Sequence, residues 1–276
     1  MNQNTSIEIS IITVCFNDIC NLKKTIRSLY LQLEQIDGRR VEYIVVDGAS
    51  TDGTVTYVQE MLQEMQNKGV STCLVSEKDK GIYDAMNKGS HLACGKWIYM
   101  LNAGDVFHEG TVLKKMLEYM QSTTADVLYG SAYRKNPYWG EMWIPSNLDK
   151  LRETMILCHQ SILIHKSLME KFCYNLQYRW CADYDLVLRL YLKGYLFEYM
   201  KICVVDYSLD GITAQGAMIP AYKEIWKIRK ANGVTGSAVI DVCKYRLGLW
   251  KRYLIKIFPQ SVRWEIVRIL HKCNRD

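Results

Sequence analysis

The sequence predicts an α/β fold: a mostly parallel, doubly wound sheet flanked by helices, followed by a helical appendage at the C-terminus. Short runs of β-branched and apolar residues alternate four times with segments of helical apolar spacing, within about 120 residues. The connections between these segments are short. Strands and helices that alternate in this way fold as parallel βαβ units.

Each predicted element follows from its own residue pattern. The first strand is predicted at 7–14, IEISIITV, because its β-branched residues suit an extended chain. The next three strands are predicted at 41–46, 70–76 and 97–101. Apolar residues three or four positions apart predict helices at 22–33, 55–65, 82–92 and 110–120. Two further short strands are predicted at 126–129 and 161–165.

The chain is organised around 96–105, KWIYMLNAGD, an apolar run that ends in turn residues and an acid. Such a run is typical of a strand buried on both faces. Asp105 then lies beyond the carboxyl end of the strand, where open α/β sheets bind their ligands. In isolation this acid more often caps the following helix. The polar residues after the other strands favour a ligand site instead.

Two common nucleotide-binding motifs are missing from the sequence. No G-x-G-x-x-G follows the first strand, and no G-x-x-x-x-G-K-[ST] occurs, which argues against NAD enzymes and P-loop NTPases. The predicted strand ends carry acids and amides instead. Because carboxylates repel a bare phosphate, a phosphate ligand here needs a bridging divalent cation. We therefore predict a metal-bound nucleoside diphosphate near Asn17, Asp47, Asp52, Glu77, Asp79, Asp84, Asn87, Asn102 and Asp105.

Cysteine usage and the N-terminus predict the cellular compartment. The ten cysteines show no C-x-x-C and no Cys/His ligand spacing, so we predict neither disulfides nor a zinc site. The segment 1–10 lacks the features of a signal peptide, and no apolar run has the length of a spanning helix. We expect a cytoplasmic protein, either soluble or peripheral on the inner face of the cytoplasmic membrane.

Six motifs follow one another along the chain: TVCFN, VVDGASTDGT, SEKDKGIYDAMNKG, YMLNAGD, CHQSILIHK and WCADYDLVLRLYLKG. Their order resembles that of family 2 glycosyltransferases with the GT-A fold, over residues 7–213. The third motif is similar to a bacterial subgroup that builds surface and exported polysaccharides. The resemblance implies a donor that is a sugar nucleotide, a UDP-sugar rather than a GDP-sugar, and a glycan or lipid-linked acceptor. It also implies Mg²⁺ or Mn²⁺ as cofactor.

The resemblance also implies roles for individual residues. It places the nucleoside near Thr13, Asn17 and Asp47, although Gly48 stands where the family commonly has a second acid. It places the ribose and the sugar near Asp79, Lys80 and Asp84, with Lys80 toward the phosphates. His159 corresponds to a family residue near the donor or the acceptor, and Asn102 lies on the donor side.

The resemblance also implies which residues bind the metal and act as the catalytic base. The family's D-x-D corresponds to 102–105, of which only Asp105 remains as an acid, so Asp105 is the predicted metal ligand with Asn102 as a weaker oxygen donor. The family's Glu-Asp before a late helix corresponds to Ala182 and Asp183, which makes Asp183 the predicted catalytic base. Asp185 is expected to cap or orient that helix. The implied reaction is an inverting single displacement that transfers one sugar.

Two other functions are compatible with the sequence. A non-catalytic sugar-nucleotide-binding protein would keep Asp47 and Asp105 but would have no use for Asp183. A nucleic-acid-binding protein would rest on the basic C-terminal segment alone and lacks any recognition motif, so we predict no nucleic acid partner.

The C-terminal segment differs in charge from the rest of the chain. We predict a GT-A domain at 1–215, with a nucleotide-binding half at 1–123 and an acceptor half at 124–215, and a helical tail at 216–276. Residues 241–276 hold nine Lys and Arg against three acids, whereas the other 240 residues hold 26 of each sign. Two amphipathic basic helices are predicted there and favour a membrane surface. The alternative is a helical hairpin packed on the catalytic domain or on a second subunit of a homodimer.

Overall fold

The computed structural model describes residues 6–136, 139–145, 147–208, 218–234 and the single residue 262. The chain divides into two units, Met1–Ile225 and Trp226–Asp276. The predicted border after residue 215 lies outside the described residues, as does the predicted tail at 241–276 apart from Val262. Both therefore stay predictions.

Nine strands and seven helices are described. The strands are β1 (Ile9–Cys15), β2 (Val41–Asp47), β3 (Ser71–Ser76), β4 (Trp97–Met100), β5 (Val106–Phe107), β6 (Val127–Asn136), β7 (Trp139–Trp143), β8 (Ile162–His165) and β9 (Phe197–Ser208). The helices are α1 (Ile19–Gln32), α2 (Thr54–Asn67), α3 (Ile82–Leu92), α4 (Val112–Ser122), α5 (Lys166–Phe172), α6 (Ala182–Leu192) and α7 (Met218–Ala231). Among the helices described, none is both long and apolar enough to cross a bilayer.

The four predicted strand–helix pairs are confirmed, and they form the parallel half of one mixed sheet. The strand order is β3-β2-β1-β4-β8-β6-β9-β5, with β7 paired to β6. β1 runs parallel to β2 and β4, and β2 runs parallel to β3. In the second half β8 is antiparallel to β4 and β6, and β5 is antiparallel to β9. β6 runs parallel to β9, so the sheet is mixed in this half.

Helices cover both faces of the parallel half. On one face, alternate residues of β1 and β2, such as Ile11 and Tyr43, belong to the same buried core as Leu22 of α1 and Val58 of α2. On the other face α3 contacts β1 and β2. Gly89 allows this close approach, since a Cβ there would lie 2.5 Å from Cγ2 of Ile12. The doubly wound arrangement therefore brings the carboxyl ends of four parallel strands to one edge.

Candidate active site

The ends of β1 and β2 are joined by a network of polar contacts. The side-chain oxygen of Asn17 accepts a hydrogen bond from the backbone of Thr51 at 2.8 Å, and the Asn17 backbone donates to Ser50 at 2.7 Å. Asn17 adopts a positive φ of 47°, which asparagine tolerates better than most residues. Asp47 is fully buried and accepts hydrogen bonds from the Ser50 backbone at 2.9 Å and the Ser76 hydroxyl at 2.6 Å. The buried Asp47 carboxylate therefore links the end of β2 to the following loop and to the end of β3.

Thr13 lies within the sheet. Its side chain is fully buried, its hydroxyl donates to the backbone oxygen of Leu101 at 2.6 Å, and it accepts from the hydroxyl of Tyr43 at 3.0 Å. Both bonds link β1 to its neighbours in the sheet. The structure therefore gives Thr13 a supporting position beneath the predicted nucleoside site.

An aromatic side chain at this edge was not among the predicted site residues. Phe16 directly follows β1 and is 63% exposed, an unusual exposure for a phenylalanine. It borders Gly48, where an added Cβ would lie 3.1 Å from Cδ2 of Phe16 and 3.0 Å from Oδ2 of Asp79. Gly48 thus occupies a narrow position between a ring and a carboxylate. The available signal was an aromatic residue immediately after the first strand.

Three predicted residues, Asp79 and Lys80 before α3 and Asp84 in its first turn, are joined by backbone hydrogen bonds. Asp79 accepts from the backbone of Gly81 at 2.9 Å, and Asp84 accepts from the backbone of Lys80 at 2.9 Å. Lys80 is exposed. Lys88 lies one turn further along α3 than Asp84 and contacts it at 3.7 Å. Because the Asp79 carboxylate and Phe16 both lie beside Gly48, this segment adjoins the ends of β1 and β2.

The predicted base, Asp183, lies in the first turn of α6 and contacts α3. The hydroxyl of Tyr83 donates to Oδ1 of Asp183 at 3.0 Å and lies 3.2 Å from the backbone oxygen of Trp180. Burial raises the pKa of Tyr83 well above its usual value, and the charge of Asp183 raises it further. Tyr83 therefore keeps its proton and acts as a donor to the carboxylate.

His159 extends this contact toward Asn102. Nδ1 of His159 lies 3.7 Å from Oδ2 of Asp183, and Nε2 lies 3.3 Å from the side-chain nitrogen of Asn102. Burial lowers the pKa of His159, and the charge of Asp183 opposes that shift. These contacts assign the neutral tautomer with its proton on Nδ1, facing the carboxylate. Asp183, His159 and Asn102 thus form one polar chain.

The backbone that precedes α6 is fixed by Glu224. Its carboxylate accepts hydrogen bonds from the backbone nitrogens of Arg179, Trp180 and Cys181 at 2.9, 2.7 and 3.0 Å. The N-cap residue Cys181 supplies no side-chain cap of its own. An external carboxylate at a helix N-terminus satisfies these donors and stabilises the turn that carries Asp183.

Asp185 has the orienting position that the sequence predicts. It is buried, and its Oδ2 lies 2.8 Å from Nε of Arg189. Arg189 also donates to the backbone oxygens of Phe172 and Cys173 at 2.8 and 2.7 Å. Since this carboxylate is paired inside the protein, Asp183 is the acid of the first turn that remains partly exposed.

Asp105 lies in the turn between β4 and β5 and is buried. Burial raises the pKa of its carboxyl to about 8, while hydrogen bonds from the Asn102 backbone and the Gln160 side chain act against this shift. The side-chain oxygen of Asn102 is buried without a hydrogen-bond partner. The turn 102–105 therefore offers a buried carboxyl and an unpartnered amide oxygen, and both are the oxygen ligands that Mg²⁺ and Mn²⁺ prefer.

The mixed sheet, its helices and the polar groups at the strand ends define a GT-A fold. The chain belongs to glycosyl transferase family 2, since the family model of that description matches residues 10–192. It is 32% identical over 175 residues to a PGL/p-HBAD biosynthesis glycosyltransferase of Mycobacterium tuberculosis, covering 62% of this chain and 66% of the relative. The chain therefore spans slightly less than two thirds of that relative's length. An uncharacterised glycosyltransferase of the same species is 30% identical over 192 residues, covering 66% of this chain and 68% of that protein.

Solved structures share the fold at lower sequence identity. TarS of Staphylococcus aureus in complex with UDP superposes with a TM-score of 0.63 at 16% identity, covering 83% of this chain and 66% of TarS 1–349. A mannosyltransferase of Pyrobaculum calidifontis in complex with GDP-Man and Mn²⁺ gives a TM-score of 0.64 at 16% identity, covering 84% of this chain and 65% of that one. At this identity the likeness establishes the fold.

Proposed function

We propose that this protein is an inverting glycosyltransferase that moves a single sugar from a nucleoside diphosphate sugar to a hydroxyl of a glycan or lipid-linked acceptor in bacterial polysaccharide biosynthesis. One observation carries the proposal: two adjacent residues of α3 contact the proposed donor-binding segment and the proposed base. Asp84 belongs to the turn with Asp79 and Lys80, and Tyr83 hydrogen-bonds Asp183 at 3.0 Å. The proposed base, Asp183, is thus held close to the segment of Asp79, Lys80 and Asp84 that the family resemblance assigns to donor binding.

The donor nucleoside occupies the edge formed by Phe16, Asn17 and Gly48. The exposed ring of Phe16 offers a stacking surface for the base, and Gly48 leaves room for that ring and for the Asp79 carboxylate beside it. Asp79 and Lys80 then face the ribose and the phosphates. A UDP-sugar is the favoured donor because the TarS structures hold UDP and UDP-GlcNAc. A GDP-sugar is the alternative, as in the mannosyltransferase complex.

Asp105, together with the side-chain oxygen of Asn102, would hold Mg²⁺ or Mn²⁺. Such an ion neutralises the charge that develops on a departing nucleoside diphosphate. The described residues do not place Asp105 in a group of three ligating side chains, since the one such group lies elsewhere. The remaining ligands would therefore be diphosphate oxygens and water, and we expect weak metal binding in the absence of nucleotide.

Asp183 takes the proton from the acceptor hydroxyl as the acceptor oxygen attacks the anomeric carbon. Tyr83 donates a hydrogen bond to one oxygen of the Asp183 carboxylate, and His159 faces the other oxygen. The Asp183 side chain is therefore oriented from two sides. Apolar residues that include Met100, Ile162 and Tyr174 line the cavity next to His159 and Asp183. A low-polarity wall strengthens these polar contacts. Attack opposite the leaving group inverts the anomeric centre without a covalent intermediate.

The acceptor is proposed to be lipid-linked, and residues 241–276 are proposed to lie on the cytoplasmic face of an anionic membrane. The mycobacterial relatives named for PGL/p-HBAD biosynthesis support glycan assembly as the setting. The basic charge of the tail supports membrane binding, since each Lys or Arg near an anionic leaflet contributes on the order of 1 kcal/mol to the free energy of binding. A homodimer through the tail is the competing arrangement.

A donor-consumption assay separates the enzyme from a non-catalytic binder. The purified chain is incubated with UDP- and GDP-sugars, Mn²⁺ and a bacterial lipid extract, and release of the nucleoside diphosphate is measured. An enzyme releases it, at least slowly by donor hydrolysis, and the release is lost when Mn²⁺ is chelated. A protein that binds a donor in calorimetry but never consumes it contradicts the proposal.

A further inference from the structure

Three side chains of different chemistry meet at the edge of the sheet, where β5 pairs with β9. They are His108, Cys203 and Asp206, and their ligand atoms all lie within 4.8 Å of one another. Nδ1 of His108 is 2.6 Å from Oδ1 of Asp206. Within the described ranges this is the group of three His, Cys, Asp or Glu side chains close enough to hold one ion.

The backbone of both strands brings these residues together. Val106 pairs with Asp206 in the antiparallel ladder, and the backbone of His108 continues it with a hydrogen bond to Val204 at 3.1 Å. Residues 203 and 206 would point to opposite faces in a regular strand. β9 is irregular at this point, because Ser131 pairs with Cys203 and Ala132 pairs with Val205. The extra residue in β9 places Cys203 on the side of Asp206.

We propose that His108, Cys203 and Asp206 form a Zn²⁺ site that clamps β5 to β9. Imidazole nitrogen, thiolate and carboxylate are the ligand types that Zn²⁺ selects, with water in a fourth position. The ion takes the place of the hydrogen bond between His108 and Asp206 and displaces the proton of the Cys203 thiol to solvent. The His108–Asp206 pair opens to the roughly 3.4 Å that neighbouring ligands of tetrahedral zinc require.

The Asp206 carboxylate lies beside the Cys203 thiol and the His108 ring, so its charge attracts a divalent cation to this group. The bound cation in turn stabilises the thiolate form of Cys203. The site differs in chemistry from the oxygen donors at Asp105 and Asn102. Mg²⁺, which prefers oxygen ligands, therefore does not compete for it. Spacing along the sequence does not reveal the site, because His108 is 95 residues from Cys203.

Cobalt substitution tests the proposal with a readout that does not depend on catalysis. The full chain is stripped of metal with a chelator, kept reduced with a thiol-free reductant and titrated with Co²⁺. We expect near-ultraviolet absorption from a cobalt–thiolate bond, saturating at about one equivalent. Zn²⁺ abolishes the absorption and excess Mg²⁺ leaves it unchanged. Cys203→Ser removes it, whereas the control Cys20→Ser, at an exposed cysteine in α1, retains it.

A second variant keeps the test informative if Cys203→Ser folds poorly. His108 is exposed, so His108→Gln is expected to fold and to weaken Co²⁺ binding at least about tenfold. Circular dichroism and thermal unfolding verify the fold of each variant. Absence of cobalt–thiolate absorption in the unmodified chain would overturn the proposal. So would absorption that persists in folded Cys203→Ser, or unchanged Co²⁺ affinity in His108→Gln.

Discussion

The hydroxyl of Tyr83 lies 3.0 Å from Oδ1 of Asp183 and joins α3 to the first turn of α6. The two residues are 100 positions apart in the chain, on two different helices. Because Tyr83 is adjacent to Asp84, this single bond ties the geometry of the proposed base to the proposed donor site. The proposed role of Asp183 as the base depends on this geometry.

Replacing Tyr83 with phenylalanine removes the hydroxyl and keeps the ring, which packs near Tyr174 with centroids 5.4 Å apart. A charge-assisted hydrogen bond contributes about 1.5 to 3 kcal/mol, so we expect turnover to fall by on the order of tenfold or more. Donor affinity should stay unchanged, because the hydroxyl does not face the nucleoside edge. Steady-state kinetics and calorimetry with the donor measure the two quantities.

The matched control for this variant is Tyr195→Phe. Tyr195 packs against Phe172, away from Asp183. If Tyr83→Phe lost donor affinity and kept its turnover, Tyr83 would belong to the donor site and would not position the base.

Replacing Phe16 with alanine tests the stacking surface for the base. Stacking of a base on an aromatic side chain contributes about 1 to 3 kcal/mol, so donor affinity should fall by roughly five- to 150-fold. Turnover at saturating donor should change little. Leu31→Ala is the control, because Leu31 is also an exposed apolar residue, 49% accessible, but lies on α1 away from the strand ends. Equal donor affinity in the two variants would exclude Phe16 from the nucleoside site.

Replacing Asp105 with alanine should abolish metal-dependent donor binding and leave the fold intact. The reason is that Asp105 is the one acid of the turn 102–105 and the proposed protein carboxylate on the ion. Thermal shift with Mn²⁺ and a nucleoside diphosphate measures the effect, since a ligand that binds the folded state raises its melting temperature. A variant that still showed the Mn²⁺-dependent shift, or transferred sugar at the unmodified rate, would rule out this role.

Truncation before Asp241 tests the proposed membrane contact. The shortened chain should bind donor normally but no longer sediment with anionic liposomes at low salt, because it lacks the basic tail. Neutral liposomes serve as the control. If the intact protein ignored anionic liposomes, or the truncated chain failed to fold, the tail would be a packed hairpin and the membrane proposal would fail.

The sequence predicted the parallel half well for a physical reason. Each of the first four strands is buried on both faces or followed at once by an amphipathic helix, so its pattern is local. The helix predicted at 82–92 has the observed bounds, and the other seven elements differ by no more than three residues at either end. Asp105 was likewise placed beyond the end of β4.

The second half was harder because its structure depends on distant pairing. β5 has only two residues and exists through its ladder with β9. β9 contains a bulge and a positive φ at Lys201, which disrupt the alternation that marks a strand. The contacts of the site residues were equally hard to predict, because they too depend on residues distant in the chain. Nothing in the local pattern indicates that the Thr13 hydroxyl bonds Leu101, or that Phe16 is exposed beside Gly48.

The role of Asp183 as the base is tested by comparing Asp183→Asn with the unmodified chain in two assays on the same preparation. Calorimetry gives donor affinity, and release of nucleoside diphosphate in the presence of acceptor gives turnover. We expect equal donor affinity and a turnover lowered by roughly a hundredfold or more, as for the loss of a general base. Full turnover in Asp183→Asn would show that Asp183 is not the base, because the role would then belong to another residue or no base would be required.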